Sequence, residues 1–124
     1  MPIQFKYNQK KDVLYGSIEG RLTFDEFKLM LEQVVESREF RPDVRTLWDL
    51  RNLDFTKVDE NFERKVTLIR RSFPERSNAK IALVSETEIG FMMSRIYRIF
   101  SENLPQNVKV FKNYIAGEDW LLGE

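Results

Sequence analysis

The chain has 124 residues, and 20 lysines and arginines balance 20 aspartates and glutamates, while histidine and cysteine are absent. This composition excludes Ser-His-Asp and Cys-His nucleophiles, zinc bound by histidine or thiolate, and a disulfide framework. The balanced charge argues against a general nucleic-acid binder, which needs excess cations to displace counterions from phosphates. With 42% apolar residues the chain can bury one core, so we expect a single domain over residues 1–124. No segment is as long and apolar as a signal peptide or a membrane span, so we expect a cytoplasmic protein.

The charge is unevenly distributed along the chain. Residues 63–80 carry six cations against the two anions Glu63 and Glu75, a net charge of +4 in a chain whose total is zero. The six cations are Arg64, Lys65, Arg70, Arg71, Arg76 and Lys80. One interpretation is a solvated helix face, and the other is attraction to anionic lipid or to an acidic partner.

The first residues predict a β-hairpin. Residues 3–7 and 13–18 alternate apolar and polar side chains, and a polar turn separates them. Gly20 is expected to end the second strand, because glycine weakens a strand interior.

A helix is predicted directly after the hairpin. Thr23 and Glu26 have the capping-box spacing, in which a hydroxyl and a carboxylate satisfy the free amides of a helix start. The helix should extend over residues 24–38, with one apolar face that leaves Leu29 nearly opposite.

The rest of the chain predicts strands that alternate with helices. In order, these are a strand at 46–50, a helix from Thr56 or Val58 to Phe73, a strand at 79–84, a helix at 88–103 capped by Ser85 or Thr87, a strand at 108–111 and a helix at 115–122. The predicted order is therefore ββαβαβαβα. Because parallel neighbours need long crossovers, we expect an α/β domain with a mixed sheet, an antiparallel hairpin joined to parallel strands.

Several short segments resemble the SpoIIAA-like proteins. They are VLYGSIEG at 13–20, LWDLR at 47–51, IALV at 81–84, GFMMSRIY at 90–97, VFK at 110–112 and WL at 120–121. SpoIIAA-like proteins are small bacterial relatives of STAS domains and are grouped structurally with lipid-binding CRAL-TRIO domains of the Sec14 type. The resemblance implies a single domain of this fold, and it implies two different kinds of function.

The first implied function is that of a STAS anti-sigma-factor antagonist, which binds a kinase partner and is switched by serine phosphorylation. In that family the serine begins the helix that follows a strand ending in Asp-Leu. Here that strand ends at Asp49 and Leu50, and no serine stands at the corresponding positions 58–60. Thr56 is the nearby hydroxyl, either a helix N-cap or a phosphorylation site. The residues of this predicted partner or switch loop are Asp49, Arg51, Asp54, Thr56 and Asp59.

The second implied function is binding of an apolar ligand or a membrane surface. On the helix predicted at 88–103, apolar side chains cover an arc of about 160°, wider than packing on a sheet requires. Phe91 falls outside that arc, where its ring suits a lipid headgroup interface, a protein partner or packing on arginine stems. The predicted surface contacts are Phe91, Arg95 and Arg98, and the predicted pocket lining is Met92, Met93, Tyr97 and Phe100. Leu29 and Leu68 also lie off the packing faces of their helices, so they form one apolar patch with Phe91 if the helices line up.

Catalysis and metal binding are not predicted. Asp49, Arg51, Asp54, Asp59 and Glu60 are close in sequence at a predicted strand end and helix start, where open α/β sheets bind ligands. Their spacing matches no metal-binding loop, the chain has no glycine-rich phosphate loop, and Asp54 and Asp59 are typical of turns and helix starts. We therefore expect a non-enzymatic binding or regulatory module without cofactor or metal. Its expected partners are a lipid or other apolar small molecule, a protein, the inner face of a membrane, or a second copy of the chain.

Overall fold

A computed structural model of the chain describes residues 3–59, 61–62, 64–65, 68, 71–76, 78–92 and 107–123. The strands are β1 (Ile3–Asn8), β2 (Val13–Ile18), β3 (Gly20–Leu22), β4 (Arg45–Asp49), β5 (Leu53–Val58), β6 (Lys80–Val84) and β7 (Asn107–Phe111). The helices with described ends are α1 (Phe24–Glu36) and α2 (Tyr114–Leu122), and a 3₁₀ turn spans Pro74–Arg76. Phe62, Arg64, Lys65 and Leu68 are also helical, and so are residues 88–92.

Five strands form one mixed sheet in the order β1-β2-β4-β6-β7. β1 pairs antiparallel with β2, and every other pair of neighbours is parallel. The register places Leu47 of β4 between Tyr15 of β2 and Ala82 of β6. The predicted α/β architecture, an antiparallel hairpin joined to parallel strands, is confirmed.

A second, two-stranded parallel sheet was not predicted. β3 pairs with β5, with Gly20 opposite Leu53 and Leu22 opposite Val58. The chain therefore continues as a strand after Gly20, whose φ of 72° turns it out of the main sheet. The prediction of a helix start at Thr56 is wrong, because Thr56 lies inside β5 and the first described helical residue after that strand is Phe62.

One face of the main sheet packs against α1. Trp48 and Leu83 of the sheet join Phe27 and Val34 of α1 in the larger apolar core. The Trp48 ring also lies flat against Gly16 of the neighbouring strand, where a β-carbon would overlap the ring atoms. Glycine is therefore required in the middle of β2, since no side chain fits under the indole.

The opposite face is covered by α2. Leu121 packs there with Val13, Leu47, Ala82 and Val84, and all five side chains are buried. The predicted helix at 115–122 is thus confirmed, with Leu121 on its packing side.

Cations from the strands bind the carbonyl end of α2. Arg45 Nη1 donates to the Leu121 carbonyl at 2.9 Å, and Lys80 Nζ donates to the Trp120 carbonyl at 2.6 Å. The last carbonyls of a helix have no partner within the helix and carry its negative pole, so positive donors stabilise this end.

The predicted capping box at the start of α1 is confirmed. The Thr23 hydroxyl accepts from the Glu26 amide at 3.2 Å and donates to the Glu26 carboxylate at 2.8 Å. Leu29 is 46% exposed, as the helical wheel predicts. The helix ends at Glu36, slightly before the predicted end near residue 38.

Candidate functional site

The carboxyl ends of the parallel strands carry a network of charged side chains. Asp49, the last residue of β4, accepts two hydrogen bonds from the Arg51 guanidinium, each at 2.9 Å. Arg51 Nη1 also lies 3.6 Å from Glu86 Oε2, and the guanidinium carbon of Arg51 is 4.8 Å from the centre of the Tyr114 ring. Side chains that follow β4, β6 and β7 therefore meet at the edge where open α/β sheets bind ligands.

The contacts of this network shift the pKa values of Asp49, Arg51 and Tyr114. Burial alone would raise the pKa of Asp49, but hydrogen bonds from Arg51 outweigh burial and hold that pKa below its usual value. The same carboxylate raises the pKa of Arg51. Burial raises the pKa of Tyr114, and the charges of Glu118 and Asp49 raise it further. At neutral pH Asp49 and Arg51 thus form an ion pair beside the neutral phenol of Tyr114.

A second polar cluster lies beside α2. The Tyr15 hydroxyl donates to Glu118 Oε2 at 2.5 Å, and Lys11 Nζ is 3.4 Å from the same oxygen. The hydrogen bond from Tyr15 lowers the pKa of Glu118, and the nearby Lys11 lowers it further. Burial acts in the opposite direction and raises this pKa, but the two partners outweigh it. Burial raises the pKa of Tyr15, as does its bond to Glu118. Sequence reasoning missed this cluster, because Tyr15 and Glu118 are 103 positions apart.

The predicted partner or switch loop does not form one site. Asp49 and Arg51 belong to the charged network, whereas Asp54 and Thr56 lie on β5. Asp54 Oδ1 accepts from the Thr56 amide at 2.9 Å and from its hydroxyl at 2.6 Å. The interpretation of Thr56 as a helix N-cap is therefore wrong, because Thr56 lies inside β5 and its hydroxyl donates to Asp54 of the same strand.

Asp59, the fifth residue of that predicted loop, supports α1 instead. Its Oδ2 accepts from the amide of Phe24, the first residue of α1, at 2.7 Å, and its own amide donates to the Leu22 carbonyl at 3.1 Å. The carboxylate thus satisfies one of the free amides of a distant helix and lies at its positive pole. Asp59 connects the end of β5 to the start of α1.

The first turn of the predicted third helix differs from its expected orientation. Thr87 caps it, since its hydroxyl accepts from the Gly90 amide at 3.0 Å, whereas Ser85 is buried. Ile89 and Met92 are 55% and 56% exposed, so Met92 does not line an internal pocket here.

Phe91 is half-buried rather than exposed, with its ring centre 4.9 Å from Lys112 Nζ. The neighbouring Gly90 is buried and lies so close to Ser85, Thr87 and Phe55 that a β-carbon would overlap them, so this side of the helix faces inward. The other residues of the predicted surface, Met93, Arg95, Tyr97, Arg98 and Phe100, lie outside the described residues.

Two cations of the basic segment have structural roles. Arg76 is 5% exposed, and its guanidinium donates to the Pro42 carbonyl at 2.7 Å and to the Thr46 hydroxyl at 3.0 Å. Lys80 binds the end of α2. The interpretation of the whole segment as a solvated or anion-attracting surface is therefore wrong for these two residues, while Arg64 and its neighbours Lys65 and Leu68 are exposed.

The part of the chain that the structure describes contains no group of histidine, cysteine or acidic side chains that could hold a metal ion. No helix among those residues is long and apolar enough to cross a membrane.

The fold is similar to that of a solved bacterial protein. The match is the crystal structure of an uncharacterized protein of the DUF3478 family with a SpoIIAA-like fold from Shewanella loihica PV-4. The TM-score is 0.64 at 20% sequence identity, and the alignment covers 96% of this chain and 91% of that chain. No family model and no curated protein matches the sequence. The chain thus has the SpoIIAA-like fold that its segments resemble, and at this identity the likeness concerns the fold alone.

Proposed function

We propose that the chain is a non-enzymatic binding module that attaches peripherally to a membrane at the carboxyl edge of its sheet. The observation that carries the proposal is the exposure of Ile89 and Met92, at 55% and 56%, on the helical turn after β6. Ile115, which is 65% exposed, lies in the first turn of α2 after the neighbouring strand β7. Apolar side chains held at one edge of a domain gain free energy by entering the boundary between headgroups and acyl chains.

The charged groups near these side chains are paired with one another. Glu88 Oε1 lies 2.5 Å from Lys112 Nζ, and Glu86 Oε2 lies 3.6 Å from Arg51 Nη1. Among the described residues of this edge, Asp49, Glu86 and Glu88 are paired with Arg51 and Lys112, so the pairs leave no positive excess that would attract anionic lipid. Attachment therefore depends on apolar insertion more than on lipid charge, and salt affects it weakly.

The proposal keeps the third helix as the working surface, changes the role of Met92 from pocket lining to surface contact, and adds Ile89 and Ile115. Ile89 and Met92 face solvent, whereas Phe91 is half-buried and the Lys112 ammonium lies over its ring.

Cosedimentation with phospholipid vesicles tests the proposal. We expect the chain to bind phosphatidylcholine vesicles with and without about one-third phosphatidylglycerol. The double variant Ile89→Glu, Met92→Glu should bind about tenfold more weakly, because two apolar side chains no longer enter the lipid. The matched control is Leu122→Glu, since Leu122 is an exposed leucine at the other end of α2 and should bind like the unchanged chain. Absence of binding by the unchanged chain, or undiminished binding by the double variant, would refute the proposal.

A STAS-type protein-interaction module is the second candidate. Thr56 is exposed on β5 and is accessible to a kinase. Its hydroxyl donates to Asp54, so a phosphate on Thr56 would lie beside a carboxylate of the same sign. The intact mass of the protein purified from its host distinguishes the two candidates. A phosphate on Thr56 supports the switch, and a co-purified lipid supports the membrane module.

A further inference from the structure

The sulfur atoms of this chain all belong to methionines. The sequence contains four methionines and no cysteine. An oxidant therefore meets no thiolate, and the methionine thioether is the sulfur group that it can attack. The reaction adds one oxygen atom and converts a flexible apolar side chain into a polar one.

The described methionines differ in their access to solvent. Met92 is 56% exposed on the helical turn after β6, whereas Met30 of α1 is 4% exposed and belongs to the larger apolar core. The other two, Met1 and Met93, lie outside the described residues. An oxidant in solution therefore reaches the sulfur of Met92 and is excluded from that of Met30.

The position of Met92 connects its chemistry to membrane contact. Ile89, three positions before Met92 on the same helical turn, is 55% exposed, so the two side chains lie on one side of the helix. Both belong to the surface through which the membrane module inserts apolar groups. A sulfoxide at Met92 would carry a strongly hydrated oxygen into that contact, and the loss of its hydration opposes entry into lipid.

We propose that Met92 is an oxidation site, and that its conversion to methionine sulfoxide by hydrogen peroxide detaches the chain from a membrane. The Met92 sulfur attacks one peroxide oxygen with a lone pair, and the sulfur–oxygen bond forms as the oxygen–oxygen bond breaks. The departing hydroxide takes the proton from the transferred oxygen and leaves as water, so the sulfur is oxidised and the peroxide is reduced. A thiol-dependent methionine sulfoxide reductase reverses the change, because two thiols become a disulfide and the oxygen leaves as water. The proposal deepens the membrane module and rests on it.

Peptide mass spectrometry across a hydrogen peroxide titration locates the added oxygen. Trypsin releases Met92 and Met93 together in the peptide 81–95, so fragment ions are used to separate them. We expect Met92 to gain oxygen at a lower peroxide concentration than Met30, because the sulfur of Met30 is buried. Oxidation of Met30 before Met92 would overturn the proposal.

Cosedimentation with phosphatidylcholine vesicles measures the effect on attachment. The oxidised chain should bind about three- to tenfold more weakly than the untreated chain, and treatment with the reductase and a thiol should restore binding. Met92→Gln, which has a polar side chain of similar length, should weaken binding by a similar factor without peroxide. Met92→Leu keeps an apolar side chain but lacks the sulfur, so the affinity of this variant should be the same before and after peroxide treatment.

The outcomes distinguish failure of this proposal from failure of the membrane module. A chain that binds vesicles equally well before and after oxidation of Met92 would overturn the proposal and leave the membrane module standing. Release of Met92→Leu by peroxide would place the sensitive group at another residue and would equally overturn it. A chain that binds no vesicles before treatment would refute the membrane module and, with it, detachment by oxidation.

Discussion

Replacing Asp59 by alanine tests whether this residue supports α1 rather than a ligand or partner. Its carboxylate accepts from the Phe24 amide at 2.7 Å, and that amide belongs to the first residue of α1. The change removes a charged hydrogen bond at the positive pole of the helix, so we expect the free energy of unfolding to fall by about 1 to 2 kcal/mol. In a chain of this size, a loss of that order lowers the melting temperature by about 3 to 8 °C.

Two further variants separate the hydrogen bond from other causes. Asp59→Asn keeps an acceptor but removes the charge, so it should lose about half as much free energy as alanine. Asp54→Ala is the matched control, because Asp54 is a nearby acid whose carboxylate is hydrogen-bonded within its own strand to Thr56. It should leave the urea midpoint essentially unchanged.

Urea denaturation followed by far-UV circular dichroism measures all three variants on one scale. If Asp59→Ala unfolds at the same urea concentration as the unchanged chain, the Phe24 amide is satisfied in another way and the assigned role is wrong. If Asp54→Ala is as damaging as Asp59→Ala, the loss cannot be attributed to the start of α1.

Three other changes test contacts that hold the sheet together. Tyr15→Phe removes the hydrogen bond that lowers the pKa of Glu118. This bond stabilises the folded chain at pH values above the ordinary pKa of the carboxyl, and the stabilisation is lost as Glu118 is protonated. The stability difference from the unchanged chain should therefore shrink between about pH 7 and about pH 3, and a pH-independent difference in urea titrations would contradict the assignment. Gly16→Ala should destabilise by about 2 kcal/mol or more in calorimetry, with partial recovery by Trp48→Leu, because the added methyl overlaps the indole. Arg76→Met should cost about 2 to 3 kcal/mol, because the buried Thr46 hydroxyl and the partly buried Pro42 carbonyl lose their guanidinium donors. Arg76→Lys should fail to recover this stability in the same unfolding assay, since one ammonium lacks the guanidinium fork.

Local patterns explain which parts of the fold were predictable. The hairpin, α1 and β6 are visible because alternation, helical spacing and the Thr23 cap all act within a few residues. β3 was missed because three residues show no period, and its partner β5 begins more than thirty positions later. The same pairing explains the error at Thr56, where residues typical of a helix start form a strand.

The candidate site was less predictable because it depends on contacts between distant segments. A helical wheel shows which residues share a face but not which face turns inward. Here the side of the helix next to Phe91 faces inward, because Gly90 lies close against Phe55. Likewise, charge alone suggested that Arg76 faces solvent. Its burial depends on the Thr46 hydroxyl, 30 positions away.

The position of α2 in the chain has a consequence for folding. The apolar side chains of Val13, Leu47 and Ala82 meet Leu121 only after all seven strands have been synthesised. Until then, one side of the nascent sheet is uncovered and offers chaperones and other unfinished chains an apolar surface. Closing it requires contacts such as that of Tyr15 with Glu118, across 103 positions, and contacts of such high sequence separation form slowly. Synthesis of α2, rather than completion of the strands, therefore sets the earliest moment at which this domain reaches its stable state.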